Sequence, residues 1–145
     1  MRTFSVILLS VLLASCSLLG MGEAPSQLEI VEYGVFKNGV LVKQTTGVQR
    51  EMGASFGFRF KVKDPKAGTI KARIVTATPG LVDPARNKVQ TEFVTEADIQ
   101  PGQTYEVIFT FSEPWEMVLG EWELRVETDK GETLTRKFDV YKPVM

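Results

Sequence analysis

Histidine is absent from the 145-residue chain, and cysteine occurs once, at Cys16. Without an imidazole there is no Ser-His-Asp or Cys-His catalysis and no His-based zinc site, because each uses that ring as base or ligand. A single cysteine closes no intrachain disulfide, so the fold must rest on buried apolar surface, each Phe or Trp contributing on the order of 2–3 kcal/mol when fully buried. An excess of one charge is also lacking: 17 Lys and Arg stand against 18 Asp and Glu, a net charge of −1. That balance excludes a strongly basic surface, and with it nucleic acid as a partner. No Gly-rich phosphate loop of Walker or Rossmann spacing occurs. Carboxylate chemistry or a Ser/Lys pair is what remains for an enzyme, and no cofactor is implied.

A long apolar run is missing as well. The run Ser5-Val6-Ile7-Leu8-Leu9-Ser10-Val11-Leu12-Leu13-Ala14 follows a basic start at Arg2. Even extended through Leu18 and Leu19 it is broken by Ser and Cys and falls short of the roughly 20 apolar residues of a membrane span. It has the shape of a secretory signal instead. Its ending, Leu13-Ala14-Ser15-Cys16, looks like the lipobox of bacterial lipoproteins, in which the cysteine thiol is joined to diacylglycerol and the signal is cut just before it. Lipidation also explains why an exported chain keeps one unpaired thiol, which would otherwise form intermolecular disulfides in an oxidising compartment. Two or three acyl chains anchor firmly, since each buried methylene is worth about 0.8 kcal/mol. The chain thus divides into a signal at 1–15, a lipidated Cys16 with a polar, Pro/Gly-containing tether to 27, and one domain at 28–142. Ser17 is not the acidic residue that retains such proteins at the inner membrane, so the outer membrane is favoured, on its periplasmic side.

From Leu28 onward apolar residues recur at every second position, the period of a half-buried strand. Phe56, Phe58, Phe60 and Val62 share one face and Gly57, Arg59, Lys61 and Lys63 the other. Across the turn Asp64-Pro65-Lys66-Ala67-Gly68, the residues Ile70, Ala72 and Ile74 alternate in the same way, and the two runs are expected to pair as a hairpin. Residues 79–87, with two prolines, read as a long loop, followed by a short strand through Val89, Thr91 and Phe93. Tyr105, Val107, Phe109 and Phe111 share a face, as do Trp122, Leu124 and Val126. The last strand returns from Thr128-Asp129-Lys130-Gly131 to Phe138 and Val140. Asn38-Gly39 between apolar runs is a strong hairpin signal. About seven strands at intervals of about ten residues predict an all-β protein, an antiparallel immunoglobulin-like β-sandwich, with a closed barrel as the alternative.

The segments Leu28-Glu29-Ile30-Val31-Glu32-Tyr33-Gly34, Gly53-Ala54-Ser55-Phe56-Gly57-Phe58-Arg59-Phe60 and Glu113-Pro114-Trp115-Glu116-Met117-Val118-Leu119-Gly120-Glu121-Trp122 resemble a family of small bacterial exported domains of unknown function. The likeness runs from about Leu28 to Val140. It implies an exported immunoglobulin-like domain, and it implies no activity, substrate or catalytic residue.

Alternation with Leu124 and Val126 puts Trp122 in the core, whereas Trp115 follows a proline outside any strand. Trp115 is expected to cap the open end of the sandwich, its N–H at the wet edge, with an exposed anchor for a sugar or partner as the alternative. Function then divides three ways. The first is a non-enzymatic binding or structural module, held at the membrane and presenting loops or a sheet edge to an envelope protein. The second is glycan or peptidoglycan recognition, with Trp115, Tyr105 and Tyr141 as stacking platforms. A carboxylate-based hydrolase using Glu113, Glu116 or Glu121 comes third, since paired acids beside aromatic rings furnish glycosidase sites. A calcium site near Asp83 or Asp98 has no EF-hand spacing behind it, and no metal is expected.

Overall fold

The alternation becomes nine strands and one 3-10 turn in the computed structural model, which describes residues 27–144. The signal at 1–15, Cys16 and the tether up to residue 26 lie outside the described residues. The strands are β1 (Leu28–Lys37), β2 (Val40–Lys43), β3 (Gly47–Gln49), β4 (Ser55–Val62), β5 (Ile70–Asp83), β6 (Lys88–Ile99), β7 (Thr104–Thr110), β8 (Gly120–Thr128) and β9 (Thr133–Tyr141). They form a four-stranded sheet in the order β2-β1-β4-β7 and a five-stranded sheet in the order β3-β9-β8-β5-β6. All neighbours are antiparallel except β3, which runs parallel to β9 through Val48 and Val140. The two sheets close on each other as the expected sandwich.

Each sheet lays one apolar face on the other. Phe56, Phe58 and Phe60 are fully buried from β4, and Trp122, Leu124 and Val126 from β8, all on the faces their alternation assigned. Phe56 is the hub. Its ring lies 5.4 Å from Phe111, 5.4 Å from Phe138 and 5.6 Å from Trp122, the last edge-on at 88°. Edge-to-face and tilted contacts of this kind add about 0.5–1.5 kcal/mol each beyond burial. Trp122 satisfies its one polar atom by donating Nε1–H to the Val118 carbonyl at 3.0 Å.

Three local expectations are corrected. The runs at 55–63 and 70–74 do not pair as a hairpin: β4 and β5 belong to different sheets, and the turn at Asp64 carries the chain across the sandwich. Both runs bury one face, and apolar faces can be buried as well by facing each other as by lying side by side. Residues 79–87 are not one long loop. β5 continues through a bulge between Ala77 and Leu81, reaches Asp83, and turns tightly into β6. A β-bulge absorbs the extra residues that would end a regular ladder. The nine strands exceed the expected seven partly because β3, only three residues long, is too short to show a period.

The Asn38-Gly39 turn is formed, with both residues at positive φ, 53° and 77°. Arg59 then ties the first sheet together from outside. It pairs with Glu32 of β1 at 2.6 Å and Glu106 of β7 at 2.7 Å, donates to the Gly39 carbonyl at the hairpin tip, and lies 4.9 Å above the Phe36 ring. Hydrogen bonds to Glu106 and then Glu32 hold its guanidinium above its ordinary pKa.

Candidate functional site

The three candidate aromatics are not brought together. Tyr105 opens β7, stacks on Phe60 at 5.6 Å, and accepts the Gln100 N–H at 2.8 Å through its hydroxyl. A tyrosine at the start of a strand, bonded to backbone a few residues upstream, is a post that immunoglobulin-like sandwiches use at a corner. Trp115 lies beyond the other end of the same strand, in the 3-10 turn Pro114–Glu116, half-buried and packed on the core beside Met117 and Val118. Seven residues of strand separate the two ends by roughly 23 Å. Tyr141 closes β9 at the Trp115 end, half-buried, its ring against Gly47 and its carbonyl accepting Arg50 N–H at 2.9 Å.

Nor do the candidate carboxylates converge. One oxygen of Glu116 accepts the Ser112 N–H at 2.8 Å, the Glu113 N–H at 2.9 Å and the Ser112 hydroxyl at 3.1 Å. It is the clasp of the turn that carries Trp115, in the manner of a capping box. Glu121 stands on the outer face of β8, 66% exposed, with Lys137 4.0 Å away. Asp83 accepts the Ala85 N–H at 2.9 Å in the β5–β6 turn, while Asp98 lies at the far end of β6. Among the described residues no group of three or more His, Cys, Asp or Glu could hold a metal.

Two surfaces emerge that alternation alone assigned simply to solvent. On the outer face of the five-stranded sheet, Arg125 binds Glu123 at 2.7 Å, Glu127 at 2.8 Å and Glu92 at 3.2 Å. Hydrogen bonding to Glu127, then to Glu123, raises its pKa against the opposing effect of burial. This network lies over Val75, which is 1% exposed although it faces away from the core. Beside it, a depression of about 680 Å³ is lined by Lys71, Arg73, Glu96, Asp98, Glu127 and Asp129. These residues meet only through the register of β5, β6 and β8, which no single segment of sequence states.

The second surface is the outer edge of β6. This twelve-residue strand pairs with β5 alone, and most of its residues are exposed. Val89 is 66% and Val94 43% exposed on it. Unpaired edge groups of this kind are a template for adding a strand.

Residues 25–140 match the model of a family described as a domain of unknown function, DUF3859. The chain is 31% identical to an immunoglobulin-like protein from Pseudomonas aeruginosa, with a TM-score of 0.69, over 82% of this chain and 100% of that one. It also overlays part of a β-glucosidase from Listeria innocua at 13% identity and a TM-score of 0.39, spanning 18% of that enzyme. No curated protein matches the sequence.

Proposed function

The chain belongs to the DUF3859 family of domains of unknown function, and on that premise we propose that it is a lipid-anchored envelope lipoprotein whose sandwich binds or supports other envelope components rather than catalysing a reaction. The observation that carries this reading is the sequence Leu13-Ala14-Ser15-Cys16 at the end of a signal-like apolar run, ahead of the β-sandwich that begins at Leu28. Two features of the domain support the binding half. The carboxylates that could have served hydrolysis are engaged in turn capping or stand apart on the outer face. The long free edge of β6 offers backbone groups to a partner. Ser17 after the cysteine favours the outer membrane, with the domain on the periplasmic side.

The test is Cys16→Ser. Palmitate labelling and membrane partitioning should both be lost together, because the serine oxygen does not take the thioether. A variant that still labels and still sediments with membranes would refute the anchor.

A further inference from the structure

The hydrogen bonds of the five-stranded sheet show which groups of β6 are free. Asp129 N–H donates to the Lys71 carbonyl at 2.9 Å, and Thr128 N–H donates to the Glu132 carbonyl at 2.8 Å. Odd-numbered residues at this end of β5 therefore serve β8, and Ala72, Ile74 and Thr76 serve β6, where their partners are Ala97, Thr95 and Phe93. In an antiparallel ladder the alternate residues point the other way. Glu92, Val94, Glu96 and Asp98, all exposed, thus direct their N–H and C=O groups out from the edge. The free run begins at Glu92, because the Gln90 carbonyl before it accepts the Thr78 hydroxyl at 2.8 Å opposite the bulge of β5. From Glu92 to Asp98 it is long enough to pair with a strand of ordinary length.

Nothing on the inner face of that run blocks a further strand. It contains no proline, and Phe93, Thr95 and Ala97 carry no charge. Phe93 is half-buried and stacks on Phe109 of β7 at 6.2 Å. The free part of β9 differs: there Arg136 points inward, its guanidinium 4.3 Å over the Tyr33 ring. An inward charge on an edge strand is a known guard against strand addition. β2 and β3 are guarded by being short, at four and three residues.

The charge of the run selects its occupant. Its outer-face side chains are three carboxylates and a valine, with no base among them. Glu92 shares Arg125 with Glu123 and Glu127. Among the described residues neither Glu96 nor Asp98 has an ion-pair partner, and Arg73, across the ladder from Glu96, turns to Glu127 at 3.6 Å instead. Like charges directly opposite destabilise a strand pair and opposite charges stabilise it. A second copy of the run is therefore disfavoured: each antiparallel two-fold register that pairs three or four of these residues sets Glu92 against Glu96, Glu92 against Asp98, or Glu96 against itself. We propose that the edge from Glu92 to Asp98 takes a basic, extended segment of a partner protein as a sixth strand. Lys or Arg of that segment stands opposite Glu92, Glu96 and Asp98, an apolar residue stands opposite Val94, and uncharged residues lie beside Phe93, Thr95 and Ala97. In strand addition the backbone bonds supply affinity and the alternate side chains supply specificity. This names the partner chemistry of the binding module and rests on that reading, but not on the anchor.

The experiment uses the full-length protein purified in mild detergent, whatever its N-terminus carries, so that it is independent of the anchor. The probe is a fluorescent peptide, Lys-Val-Lys-Thr-Val-Thr-Lys, blocked at both ends and written for the antiparallel ladder, the more stable of the two. Anisotropy should show saturable binding that weakens with salt, and little binding of the same peptide with Glu for its first two lysines. N-methylating the amides of the second lysine and second valine keeps the charge and removes donors aimed at the edge. Val94→Pro removes an outward donor from β6 and leaves its bonds to β5 in place. Each change should weaken binding on the order of tenfold, since each deletes backbone hydrogen bonds. Glu96→Lys with Asp98→Lys should lose the basic peptide and take up the Glu-containing one. A basic peptide that does not bind, or a reversed variant that does not exchange peptides, would overturn the proposal. Binding that ignores both the N-methyl groups and Val94→Pro would be charge attraction alone, and it would overturn the edge while leaving a binding module standing.

Discussion

Gly57 lies between Phe56 and Phe58 in β4 with φ at 153°, and a Cβ built there would stand 1.9 Å from the Val107 carbonyl oxygen of β7. A side chain would push the two strands apart at the centre of their sheet. Gly57→Ala is therefore expected to cost on the order of 2–4 kcal/mol in denaturant unfolding, as backbone clashes of this kind do. Phe56→Ala should cost about 3–5 kcal/mol, because it opens a cavity where the rings of Phe109, Phe111, Trp122 and Phe138 converge. The tryptophans separate by solvent access: Trp122 is fully buried and Trp115 half-buried. In a Trp115→Phe protein the remaining fluorescence should resist acrylamide, and easy quenching would contradict the core position of Trp122. The phenylalanines of β4 and Trp122 were legible in the sequence because a strand's period is two. Gly57 was not, since its requirement comes from a strand fifty residues later in the chain.

At the level of elements, hairpins with chemical signatures were legible and those without were not. Asn38-Gly39 announces its turn, and Thr128 to Gly131 closes the β8–β9 hairpin. The passage from β4 to β5 carries the same turn residues but crosses between sheets, and composition does not distinguish the two outcomes. The bulge that keeps residues 79–83 in β5 likewise depends on the partner strand. The 3-10 turn makes a sharper case. Glu116, a candidate acid by composition, is the clasp of the turn carrying Trp115. Glu116→Ala should lower stability by about 1 kcal/mol, the usual worth of a lost cap, and loosen the turn under hydrogen exchange. Unchanged stability and unchanged exchange at Ser112 and Glu113 would show that the clasp is unimportant.

For the whole molecule, alternation, aromatic content and turn spacing sufficed to give two apolar faces and hence a sandwich, while the pairing order within each sheet needed the structure. The candidate site was less legible. Tyr105, Trp115 and Tyr141 were selected as aromatic residues, but their distribution over both ends of the sandwich follows from topology. The β6 edge escaped notice because a free edge is a property of strand order. The proposed export and anchoring rest on another kind of signal, the short sequence ending at Cys16, and would determine where the domain acts. Mass spectrometry of the N-terminal peptide, from protein purified out of bacterial membranes, tests this most directly. The expected result is a peptide that begins at Cys16 and carries the mass of diacylglycerol on its sulfur. A peptide beginning at Met1, or one containing an unmodified Cys16, would contradict it.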